Sequence, residues 1–194
     1  MVFPVTISDI PLELDTLPAL KTRYFCHDGS LPARDTARIY TMARLYVQNG
    51  VLQLGLSAFE RDPAPDSSIS FALGGEGQQF ALVTLTPEDA TLEVLEKTPP
   101  PALFGGREAV LETPLEAGRF AGQDEQGWYW GAQMALPKTV LAGCGCPLSP
   151  GARFGGALFK YRFGLPAFGA SCRMEDNARP LDFASFGTFE ATDY

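Results

Sequence analysis

Asn49-Gly50 stands between two runs of alternating apolar and polar residues, 39–47 and 51–59. No other feature constrains the fold of this chain as strongly. Asn and Gly accept the positive φ angles of a two-residue turn, which makes the pair the strongest short hairpin signal. In the outgoing arm Leu52, Leu54, Leu56 and Ala58 alternate with Gln53, Gly55, Ser57 and Phe59. A period of two places one set in a core and leaves the other outside.

The same reading extends along the chain. Residues 69–73 alternate and stop at Gly74-Gly75, and 80–86 and 91–95 are strand candidates separated by Pro87-Glu88-Asp89. Residues 107–116 read as a strand interrupted by Pro114, and 154–163, 167–173 and 186–191 complete the set. Between them 127–137 (GWYWGAQMALP) puts Trp128, Trp130, Ala132 and Met134 on one side of an extended chain, and Tyr129, Gly131, Gln133 and Ala135 on the other. Pro137 ends that strand for want of an N–H and opens a helical turn over 138–141. No segment of ten residues carries a helical stripe; 89–97 is ambiguous between helix and strand. The expected fold is all-β: a two-sheet antiparallel β-sandwich, immunoglobulin-like or jelly-roll-like, with short helical turns. One domain is expected over 1–194. Within it, Pro4, Pro11, Pro18 and Pro32 make 1–37 irregular, apart from a short edge strand at Val5-Thr6-Ile7 and a turn at Cys26-His27-Asp28-Gly29. The Pro- and Gly-rich stretch 97–106 is expected to be a surface loop.

Charge narrows the partners. With 15 basic and 23 acidic residues, a net charge of −8 and no cluster of basic side chains, neither a nucleic acid backbone nor an anionic membrane surface is an expected partner. No apolar run reaches the roughly 18 residues of a membrane span. The first residues lack the basic start and apolar core of a signal peptide, so a cytoplasmic location is expected. Cys144-Gly145-Cys146 lacks zinc-site spacing, and Cys26 and Cys172 stand alone; buried free thiols are expected, with no metal centre and no cofactor. A structural calcium ion would draw on the loop acids Asp62, Asp66, Asp124 and Glu125, which lack hand-type spacing.

Catalysis has little to work with. His27 is the sole histidine, so any Ser–His or Cys–His arrangement would have to run through it. A glycoside hydrolase needs two facing carboxylates, and no spacing singles out a pair. The chain is expected not to be an enzyme. The aromatic residues offer more: sugar C–H faces stack on flat rings while amides and charged groups hold hydroxyls. Trp128 or Trp130, with Tyr129, Gln133, Lys160, Tyr161 and Arg162 nearby on paired strands, could form such a site. The plainer use of the two tryptophans is to fill the core.

A Trp strand ending in Leu136-Pro137, the turn Pro150-Gly151, the run FGGALFKY and then PAFGAS together resemble the carbohydrate-binding family 9-like proteins. The early hairpin with its polar loop and the closing LDFASFGTFE are similar to the family as well, so the resemblance covers about 36–191. It implies a β-sandwich that recognises glycans without catalysis, with calcium in some members. Trp128 matches the family's strand Trp, Pro137 its strand-ending proline, Lys160 its basic residue, and Phe168-Gly169 its aromatic-Gly pair. Ala157, Ala167, Cys172 and Ala184 replace polar or aromatic groups expected there. The first three motivate an alternative reading: a structural or protein-interaction β-sandwich that has lost the sugar site and is expected to form a homodimer or a complex with a partner.

Overall fold

The computed structural model describes residues 2–27, 39–103, 106–161, 167–172 and 180–193, the side chains of 24–27 and 167–168 excepted. The N-terminal segment corrects the sequence reading. It opens with β1 (Val2–Ser8), which lies inside the sheet and not at its edge. β1 runs parallel to the last strand, β14 (Gly187–Asp193), and parallel to β4 (Thr41–Gln48). Pro4 is tolerated because the ladder to β4 begins only at Thr6, so no donor is needed on that side. β2 (Leu20–Lys21) adds to β4, and β3 (Tyr24–His27) is a strand where Cys26 and His27 were expected to turn. Asp28 and Gly29 lie outside the described residues.

The Asn-Gly hairpin forms as expected. β4 and β5 (Val51–Ala58) pair from Thr41↔Ala58 to Gln48↔Val51, with Asn49 and Gly50 at φ 50° and 75°. Leu52, Leu54, Leu56 and Ala58 are fully buried. A meander follows: β6 (Ser68–Gly74), β7 (Gln79–Leu85), β8 (Ala90–Glu96) and β9 (Leu111–Pro114). Residues 89–97 thus resolve as strand. Next come β10 (Gly118–Asp124), absent from the sequence reading, and β11 (Gly127–Leu136). The helix α1 (Lys138–Gly143) starts after Pro137, followed by β12 (Arg153–Tyr161) and β13 (Ala167–Ala170).

The class is all-β, but the strands form one curled mixed sheet where two antiparallel sheets were expected. Its hydrogen-bonded order is β10-β11-β5-β4-β1-β14-β12-β6-β7-β8-β9, with β13 joined to β12 and β3. The strand β1, parallel to both neighbours, bridges what would otherwise be two sheet edges. Curling brings Leu45, Leu54 and Met134 from one half into the same core as Phe71, Val83 and Leu92 from the other. On the far face of the second half, Phe80, Leu82, Leu95 and Phe159 pack against Leu103 and Leu181. All seven residues of β6 are therefore buried. The 97–106 stretch is anchored inward by Leu103, and Arg107 Nε donates to Glu93 Oε1 at 2.9 Å beside it. Among the described residues no helix is long and apolar enough to cross a membrane.

Cys144 and Cys146, just after α1, are buried. Burial pushes the Cys144 thiol up to about 11 and the Cys146 thiol up to about 12, against the opposing positive charge of Lys97. Below pH 9 both thiols are protonated in the folded and the unfolded chain. Above it the unfolded chain ionises first, because the folded values are raised, so stability falls as pH climbs from 9 towards 11–12. The expected result is that Cys144→Ser/Cys146→Ser loses less stability than the native chain between pH 8 and pH 10.5. Urea titrations at the two pH values measure it; equal losses would rule out the thiols as the cause.

Candidate functional site

The outer face of β4, β5, β11 and β10 is built from rows that cross all four strands. In one row Arg44 lies opposite Gly55, Gly55 opposite Gln133, and Gln133 opposite Gly118. In the next, Met42, Ser57, Gly131 and Phe120 follow one another. Gly55, Ser57 and Gly131 thus keep part of the middle of the face low, beside the longer side chains of Arg44, Met42, Gln133 and Phe120. Period-two parity directs these side chains away from the core.

Aromatic rings wall one side of the depression. Tyr129 lies 6.0 Å from Phe59 and 6.3 Å from Phe120 between ring centroids. Phe120 covers Gly131, where a Cβ would come within 2.7 Å of its ring, and Tyr129 covers Gly122 in the same way. The opposite wall is the segment around a 3-10 turn, Leu14–Thr16. Leu14 packs into the space left by Gly55, and Arg44 Nε donates to Leu17 O at 3.3 Å, holding the segment against the sheet. The result is an open groove of about 880 Å³ bordered by Glu13, Asp15, Arg44, Asp124 and Gln133. That volume falls within the roughly 300–1,000 Å³ usual for small-molecule sites. Asp124 has a structural duty too: its Oδ1 accepts from the amides of Gln126 and Gly127 at 2.7 and 3.1 Å and shapes the β10–β11 turn.

The core-facing side of the same hairpin is different. Trp130 is 6% exposed and donates from Nε1 to Glu60 Oε2 at 3.1 Å. Lys160 Nζ lies 3.1 Å from that oxygen, and Ser67 donates to it at 2.6 Å. Lys160 also donates to Tyr161 O at 2.9 Å. A carboxylate, an ammonium, a hydroxyl and an indole N–H therefore share one buried network, as burial of a charge requires.

The sequence-derived candidates separate accordingly. Tyr129 and Gln133 border the groove. Trp130 and Lys160 lie in the interior network, and Tyr161 is half-buried beside it. Trp128 shares a face with Trp130 but is 46% exposed, because β5 ends at Ala58, opposite Trp130, and leaves the next inward position uncovered. Arg162 and the side chain of Phe168 lie outside the described residues.

Solved structures share this architecture. A family 9 carbohydrate-binding module from Caldicellulosiruptor kristjanssonii in complex with glucose superposes with a TM-score of 0.55 at 10% identity, covering 100% of this chain and 97% of that one. The same organism's module in complex with cellotriose gives 0.54 at 10% identity, covering 100% and 95%. A protein from Bacteroides uniformis, proposed to bind carbohydrate, gives 0.62 at 11% identity, covering 98% and 97%. The fold is similar to that of the family 9 modules. No family model matches the sequence, and no curated protein matches it.

Within this family 9-like fold, Arg44, Phe59 and Phe120 border the groove although no sequence argument selected them. The available signal was the outward parity of Gly55 and Ser57, two small residues on the face of a strand that had no core reason to be small.

Proposed function

We propose that the protein is a non-catalytic saccharide-binding module whose ligand lies in the groove on the outer face of β4, β5, β10 and β11. In this reading the two halves of the curled sheet act as the layers of a sandwich, and the groove lies outside one layer. The observation that carries the proposal is the row pattern: the small residues Gly55 and Ser57 at the floor of the groove, between an aromatic wall and a polar one. A sugar ring presents C–H faces to Tyr129 and Phe120, and hydroxyls to Arg44, Gln133 and the acids Glu13 and Asp15. The likeness in fold to modules solved with glucose and cellotriose supports the same class of ligand.

Tyr129→Ala and Gln133→Ala are each expected to weaken saccharide binding about tenfold, or about 1.4 kcal/mol, with little change in melting temperature. Calorimetry against a panel of mono- and oligosaccharides, screened for hydrolysis by chromatography, provides the check. Unchanged affinity in both variants would remove the groove from consideration, and product formation would contradict the non-catalytic reading. One observation favours the alternative, an interaction module without a sugar site: Trp130 and Lys160 serve the interior. That alternative expects no saccharide binding by folded protein and a dimer in light scattering.

A further inference from the structure

The sheet order ends at β10 on one side and at β9 on the other. A free strand edge presents N–H and C=O groups outside any ladder, and folded chains blunt such edges with short strands, proline, lysine or bulges. β9 is blunted in this way: it has four residues, ends in Pro114 and carries Glu112. β10 is not. Its seven residues contain no proline and no lysine, and they pair with β11 residue for residue without a bulge. Nearly the whole strand is exposed. Its one basic residue, Arg119, lies opposite the buried Ala132 and is drawn under the sheet, where it donates to the carbonyls of Thr86 and Pro87 at 2.8 and 2.9 Å. Among the described residues no backbone hydrogen bond reaches β10 from any segment but β11.

The strand is complementary to itself. Only one antiparallel register between two copies uses all seven residues, and it sets Ala121 opposite Ala121, Phe120 opposite Gly122, Arg119 opposite Gln123 and Gly118 opposite Asp124. No like charges face each other there, and the largest side chain meets the residue that has none. With one basic and one acidic residue, β10 is neutral within a chain of net charge −8, so two copies can approach along it without repulsion. Residues directly opposite in an antiparallel pair share a face, so the outer faces of the two copies become one surface. The Tyr129 hydroxyl already lies over Gly122, 2.7 Å from where a Cβ would stand. Beyond Gly122 in this register comes Phe120 of the second copy, which adds a ring to the aromatic wall of the groove.

We propose that β10 is a dimer seam: two copies of this chain pair edge to edge about a two-fold axis between their Ala121 residues, each lending Phe120 to the other's groove. The seam stands apart from the saccharide reading. A dimer alone does not select the alternative above, which also requires that no saccharide bind. Ala121→Lys and Ala121→Glu test the seam, because each sets like charges opposite one another at the axis, while a mixture of the two sets opposite charges there. Sedimentation of the full chain over a concentration series is expected to show a dimer. Each variant weakens it about fivefold or more, and the equimolar mixture restores it, with melting temperatures unchanged. Hydrogen exchange gives a second reading that needs only the native chain: the β10 amides gain protection as concentration rises. A native chain that stays monomeric at every concentration overturns the proposal, an edge kept for another protein's strand included. A dimer indifferent to both substitutions and to their mixing, or one that leaves β10 exchange unchanged, places the contact elsewhere and overturns it as well.

Discussion

Replacing Lys160 with methionine is expected to destabilise the protein by about 3–5 kcal/mol, the cost of removing one member of a buried ion pair. The side chains of Lys160 and Glu60 are 3% and 2% exposed, so water cannot take over the role of the ammonium. The Glu60 carboxylate would keep Ser67 and the Trp130 indole as donors. Neutral donors compensate a buried negative charge less well than an ammonium does. The double variant Glu60→Gln/Lys160→Met removes both charges together and should recover much of the loss. Urea unfolding followed by tryptophan fluorescence measures both variants, and Trp130 lies within the network being perturbed. A loss below about 1 kcal/mol for Lys160→Met would show that the pair contributes little.

This network also shows where sequence reasoning stops. Strand parity correctly places Trp128 and Trp130 on one face, but the difference in their exposure depends on where β5 ends, and Ala58 is not marked as a terminus by its own chemistry. Lys160 belongs to a strand expected from its pattern. Its partner, Glu60, comes from the loop after β5, a hundred residues earlier, and nothing local announces the pairing. The 49–50 hairpin, β11 and the Pro137-led helix were legible because turn chemistry and a period of two act locally. β10 was not, because GRFAGQD is exposed along nearly its whole length and carries no alternation to read. β1 was misplaced because Pro4 usually marks an edge, while here the neighbouring ladder simply starts two residues later. In the groove, Tyr129 and Gln133 follow from parity on one strand. Arg44, Phe59 and Phe120 require the cross-strand register, which only the folded sheet supplies.

Gly131→Ala should be among the most damaging single-methyl additions on this face, costing about 3 kcal/mol as overpacking against backbone. A Cβ at Gly131 would fall on the Leu56 carbonyl oxygen of the adjacent strand and within 2.7 Å of the Phe120 ring. The ring can swing away, but the carbonyl belongs to β5, whose inward residues are fixed in the core, so β11 would have to shift. Gly122→Ala is the informative companion. Its nearest obstacle is the Tyr129 hydroxyl at 2.7 Å, the tip of a side chain that can rotate, so its stability cost should stay below about 1 kcal/mol. Moving Tyr129 disturbs the aromatic wall, and saccharide affinity should fall even though the fold holds. Thermal melts and calorimetry on both variants therefore separate two functions of glycine in one hairpin: strand contact at Gly131 and ring placement at Gly122. Equal stability losses in the two variants would contradict the distinction between a backbone clash and a side-chain clash. Unchanged affinity in Gly122→Ala would mean that Tyr129 does not contact the ligand.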